Sequence, residues 1–164
     1  MSAQPVNREE YGPAAGPAPF ERGTDGPRVV LVGVDGSRTS LRAAAYAAGL
    51  ARRQRSRLAV VYVATTPGFG ALALAPAMTA IQETQEAVTA ELRRECRRGA
   101  DELGLPITFL SRRGDAYAEI RATADELRAD LVVVGASEQA GHRLAGSIAN
   151  RLVRCGRWPV VVVP

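Results

Sequence analysis

The chain has 164 residues, of which 46% are hydrophobic and 23% charged, and its formal net charge is +4. That length suits one domain around a single core, and no apolar run approaches the roughly 20 residues a membrane-spanning helix needs, which argues against an embedded protein. Acidic Glu9 and Glu10, with no apolar block beside them, argue against a cleaved secretory signal, so the expected location is the cytoplasm.

Residues 1–27 are rich in Pro, Gly and Ala and show no apolar periodicity. Pro5, Pro13, Pro17, Pro19 and Pro27 each lack a backbone donor, so this segment is expected to be a disordered tail. From Arg28 onward, strand and helix patterns alternate. Val29–Val34 is a β-branched run without a polar face, as in a strand buried on both sides. Ser37, Thr39 or Ser40 can cap a helix of about Ser40–Arg53. Leu58–Ala64 reads as a second buried strand. The stretch Thr65–Ala80, with Pro67, Gly68, Gly70 and Pro76, reads as a loop able to cover a pocket.

A long helix is expected over Thr79–Leu103, its apolar stripe marked by Ile81, Val88, Leu92 and Leu103 and its end by Gly104. Ile107–Leu110 forms a third strand, placed at an edge because Pro106 at its start is easiest to tolerate there. Asp115–Arg128 is a third helix, Leu131–Val134 a fourth strand, Gly146–Arg154 a fourth helix and Val160–Val163 a fifth strand. Such alternation implies right-handed crossovers and a parallel sheet with helices on both faces. The domain organisation is a tail over 1–27 and one α/β domain over 28–164.

Two of these stretches converge on a ligand site. Val29–Val34 runs into Gly33-Val34-Asp35-Gly36-Ser37, and Leu131–Val134 runs into Gly135, followed by Gly146-Ser147 and a helical pattern. In open parallel sheets, ligands settle at the carboxyl ends of strands where the strand order reverses. A Gly-Ser step opening a helix offers free backbone N–H groups and a partial positive charge to phosphate. Other chemistry finds little support. There is no GxxxxGK[ST] and no lysine at all, Gly33 to Gly36 has the wrong spacing for a dinucleotide fingerprint, and His142 is the only histidine. Catalysis and a structural zinc are therefore not expected. The arginine clusters at 52–55 and 93–98 lie near helix ends with few aromatics beside them, so nucleic acid is not an expected partner. Cys96 and Cys155 share no metal-type spacing and read as free thiols.

The succession V-G-V-D-G-S, A-V-V-Y-V, L-V-V-V-G, G-S-I-A-N-R-L-V-R and W-P-V-V-V-V resembles the universal stress protein (UspA-like) superfamily, from Arg28 to Pro164. Each piece alone is unspecific; their order and spacing are the specific feature. The resemblance implies a doubly wound, five-stranded parallel sheet of order 3-2-1-4-5. It also implies a homodimer through the last strand and, in many members, bound ATP with its Mg²⁺. By the same resemblance, Asp35 faces the ribose or a phosphate-bound metal, and Val63 faces the adenine. Gly135, Gly146 and Ser147 then lie along the phosphates, and Ile148 is a further nucleotide-binding residue. Read from the residues alone, Asp35 could equally close an Asx-turn and Ser147 could be an ordinary helix cap.

Two departures from the family pattern bear on the ligand. Glu138 replaces the second glycine of the Gly-x-x-Gly step, and the spacer 139–145 is two residues short. A carboxylate there repels phosphate, whereas Gly141 and His142 restore flexibility and a donor. The expected function is thus a cytoplasmic, non-enzymatic regulator that binds ATP and signals through its dimer or through a further protein partner, with at most slow ATP hydrolysis. The alternative is a homodimeric interaction module of the same fold that binds no nucleotide.

Overall fold

The computed structural model describes residues 7–14, 26–65, 75–137 and 148–164. In chain order the elements are β1 (Asn7–Tyr11), β2 (Val29–Val34), α1 (Arg38–Gln54), β3 (Arg57–Ala64), α2 (Ala75–Leu103), β4 (Ile107–Arg113), α3 (Ala116–Glu126), β5 (Leu131–Gly135), α4 (Ile148–Cys155) and β6 (Val160–Val163). They build one mixed six-stranded sheet of order β1-β4-β3-β2-β5-β6. The five parallel strands run β4-β3-β2-β5-β6, and β1 adds to β4 in the antiparallel sense.

Two expectations need correction here. The sheet is not purely parallel and five-stranded, and Asn7–Tyr11, within the segment read as a disordered tail, is a strand. Its alternation, Asn7, Glu9 and Tyr11 against Arg8 and Glu10, was hidden by the prolines and glycines around it. As a result Ile107–Leu110 is not an edge strand, and the ladder extends to Arg113. Pro106 is tolerated because it precedes the strand and contributes only its carbonyl, which accepts from the Leu58 amide at 3.0 Å.

Strand alternation sorts the core into two layers. Val30, Val32 and Val34 of β2, with Leu58, Val60 and Tyr62 of β3, face α1 and α2. Leu31, Val61, Val63, Val132 and Val134 face α3 and α4. On α1, Ala43, Ala47 and Ala51 recur every four residues and are buried, so small side chains lay the helix flush on the sheet. Ser37 caps α1, its hydroxyl accepting from the Ser40 amide at 3.3 Å. Arg55 ends it in the left-handed region at φ 55°. On α2 the buried stripe is Leu92, Cys96 and Ala100, with Val88 half-buried above it. Leu103 is not part of that stripe; it is 39% exposed at the last residue of the helix.

Burial pushes the Cys96 thiol up to about 12, with the Glu95 and Glu9 charges adding to the effect. Thiolate is the reactive form. Native protein at pH 8 should therefore lose only the half-buried Cys155 to an alkylating reagent, and denatured protein should lose both thiols. Labelling of Cys96 in the native state, read by intact mass, would contradict this packing.

Candidate functional site

The site follows from where β2 and β5 send the chain. β2 lies between β3 and β5 at the centre of the sheet. The chain leaving β2 enters α1 on one face, and α4, after β5, packs on the other. The β2–β5 ladder ends at Val32↔Val133, and beyond it the two chains leave to opposite faces, which leaves a crevice at the switch point. A cleft of about 460 Å³ occupies it, within the roughly 300–1,000 Å³ that holds small ligands. Its apolar wall is Val61, Val63, Ile120 and Ile148, and its polar side is Asp35, Ser37, Thr39 and Ser137.

Asp35 is the first residue past β2. Its Oδ1 accepts from the Ser37 amide at 2.9 Å, closing an Asx-turn, and its own amide donates to the Ser40 hydroxyl at 3.3 Å. Gly36 sits in the turn at φ 85°, a conformation that favours glycine. Partial burial opposes ionisation of the Asp35 carboxyl. The bonds from Ser37 and Ser40 outweigh it and hold the group below the ordinary aspartate range. An acid with a depressed folded pKa adds stability above its unfolded value and loses it as the pH falls through the folded one. Asp35 is therefore a fixed negative charge at neutral pH, and its contribution to stability disappears only in acid.

Gly135 ends β5 against the first turn of α1. A Cβ on it would lie 2.6 Å from the Thr39 carbonyl carbon and 2.7 Å from the Ser40 nitrogen. The glycine is thus required by close packing of backbone on backbone. Beside it, the Thr39 hydroxyl donates to the Ala136 carbonyl at 2.8 Å, tying the two walls of the cleft together. Val63 lines the cleft from β3, one residue past the Val34–Tyr62 pair that ends the β2–β3 ladder. Ile148 lines it from the first turn of α4.

Four of the six residues expected from the sequence, Asp35, Val63, Gly135 and Ile148, thus share one cleft. Gly146 and Ser147 lie outside the described residues, as do Glu138 and His142. Sequence reasoning missed Thr39 and Ile120. Thr39 was read only as a helix cap, and Ile120 is a core-type residue that α3 packing brings to the rim. No local pattern distinguishes it.

A family model described as the universal stress protein family matches residues 27–164. The chain belongs to this family. Universal stress protein MJ0531 of Methanocaldococcus jannaschii is 29% identical over 136 residues, 82% of this chain and 80% of that protein. Universal stress protein UspA from Lactobacillus plantarum has the same fold, with a TM-score of 0.71 at 24% identity, over 83% of this chain and 97% of that one. A universal stress protein solved in complex with cAMP superposes with a TM-score of 0.63 at 25% identity, covering 84% and 97% of the two chains. In this universal stress protein, no helix of the described residues is long and apolar enough to cross a membrane.

Proposed function

We propose that the chain binds an adenine nucleotide, ATP with its Mg²⁺, in the cleft between β2 and β5, and acts as a regulator rather than a catalyst. The observation that carries this reading is the convergence of Asp35, Val63, Gly135 and Ile148 on one cleft of ligand size at the switch point. In this reading the base lies against the apolar wall at Val63, and the Asp35 carboxylate accepts from the ribose hydroxyls. The phosphates run past Gly135 toward Gly146, Ser147 and the start of α4. The donor set fits a nucleoside better than a bare phosphate. A fixed carboxylate repels an anion but accepts from a sugar hydroxyl, and the valine and isoleucine walls suit a flat base. Gly135 also lets α1 and β5 meet closely beside the cleft. The cAMP complex of a relative supports an adenine ligand. Without a base positioned for water, any hydrolysis of ATP is slow.

Isothermal titration with ATP and Mg²⁺ should give saturable heat. Asp35→Ala should weaken binding about tenfold, equivalent to about 1.4 kcal/mol. No heat from the parent chain, with no nucleotide copurifying, would end this reading.

A dimer edge is compatible with a second reading as well, the homodimeric module without nucleotide. β6 is an outer strand whose Val162 is 41% exposed, and Val153 of α4 is exposed as well. An open row of valines is an edge able to pair across a two-fold axis. Charged substitutions at Val161 and Val162 should give monomers by light scattering in either reading. A nucleotide requirement for the dimer distinguishes the first reading from the second.

A further inference from the structure

The N-terminal strand β1 lies wholly before the residues that match the family, and its placement bears on assembly. β4 carries Ile107, Phe109 and Leu110, all buried, so its outer backbone row would be an open edge on an apolar strand. β1 covers that row in register from Asn7↔Ser111 to Tyr11↔Ile107. Asn7, Glu9 and Tyr11, which alternate onto one face of the strand, work as a clasp. The Arg93 guanidinium places Nε 2.7 Å from both oxygens of Glu9 and Nη2 2.7 Å from Oε1, joining β1 to α2. The Asn7 side-chain amide donates to Oε1 of the same carboxylate at 3.0 Å, and the Tyr11 hydroxyl donates to its Oε2. Tyr11 packs on the core with Arg97 over its ring, 5.2 Å from the centroid.

The outer side of β1 is a poor template for further pairing. It is five residues long, carries Arg8 and Glu10 in a mutual ion pair, and is flanked in sequence by Pro5 and Pro13. Gly12 turns the chain away at φ 83°, where a Cβ would lie 2.4 Å from the Leu105 carbonyl oxygen. The fold has thus replaced an apolar edge by a short, charged one. Burial opposes ionisation of Glu9, but its bonds to Tyr11 and Arg93 hold its pKa below the ordinary range, so the clasp stays charged at neutral pH.

We propose that β1 is a built-in edge cap, fastened by Glu9 and Arg93, that prevents a second copy of this chain from pairing through β4. Displacing the cap frees an apolar strand that can meet its own copy antiparallel about a two-fold axis, an isologous contact separate from β6. This inference stands whether or not the cleft takes a nucleotide.

The test is the mass of the full-length chain by light scattering across concentration. Glu9→Arg sets like charges against each other, and a chain lacking residues 2–11 removes the cap while keeping the whole family-matched region. Both should show at least a twofold higher mass than the parent at the same concentration. Glu9→Arg/Arg93→Glu should return the mass to that of the parent, and a synthetic peptide of residues 5–14 should do so for the truncated chain. Unchanged mass in both variants overturns the proposal. A rise that neither the charge reversal nor the peptide undoes overturns it as well.

Discussion

Phe109→Ala should cost about 3–5 kcal/mol of stability, the largest loss expected from a single substitution considered for this protein. Phe109 is fully buried in β4 and belongs to the layer under α2 with Leu92, Cys96 and Ile107. The strand is paired on both sides, by β1 and β3, so it cannot shift to close the cavity an alanine leaves. For a chain of this size, the melting temperature should fall by on the order of 10 °C. Phe109 points to the face opposite Val61 and Val63, so ligand affinity well below the melting temperature should be unchanged. A loss under about 1 kcal/mol by denaturant unfolding would mean that this layer is less tightly packed than described.

Gly135→Ala should be the next most damaging change, costing about 1–3 kcal/mol by overpacking. The added methyl meets the Thr39 carbonyl and the Ser40 amide, which are backbone atoms and cannot rotate aside. Relief requires lifting the first turn of α1. That strains the Thr39–Ala136 bond and the Ser37–Ser40 turn that holds Asp35. Stability and ligand binding should therefore fall together. Gly33→Ala is the instructive control. Its new methyl meets the tip of the Ile120 side chain at 2.9 Å, which can swing toward the cleft. Gly33→Ala should accordingly melt closer to the parent while still altering the cleft wall. If Gly135→Ala melted like the parent, the close approach of β5 to α1 would be wrong.

The parallel part of the fold was legible because buried central strands leave an unmistakable trace. Val29–Val34 and Leu131–Val134 are apolar without alternation, and the helix that follows the first of them is capped by Ser37, one of the three cap residues the sequence offers. The strand at Asn7–Tyr11 was not legible. Three of its five residues are charged, and what makes it a strand is the uncovered edge of β4 and the distant Arg93, which no local window contains. Leu103 shows the same limit in reverse. It fits the helical period yet is 39% exposed at the end of α2, because burial at a helix end is decided by what packs there and not by the period.

The cleft was legible to a similar depth. Asp35 and Gly135 announce themselves as the residues that stop apolar runs, although the structure assigns each a packing or turn role that the motif alone does not separate from binding. Ile120 and Thr39 reach the cleft only through the docking of α3 and the meeting of α1 with β5. Both readings of Asp35 are in fact compatible. The Asx-turn uses Oδ1 to fix the carboxylate in place, and a carboxylate fixed and ionised at a cleft rim is what recognition of a sugar hydroxyl needs.

The central claim, an adenine nucleotide seated where β2 and β5 diverge, is tested most directly by a residue-resolved NMR titration of the full-length chain with ATP and Mg²⁺. Saturable shifts centred on the amides of Asp35, Val63, Gly135 and Ile148, and weakened in Asp35→Ala, are the predicted result. An unchanged spectrum at millimolar ATP, or shifts confined to surfaces away from these four residues, would contradict it.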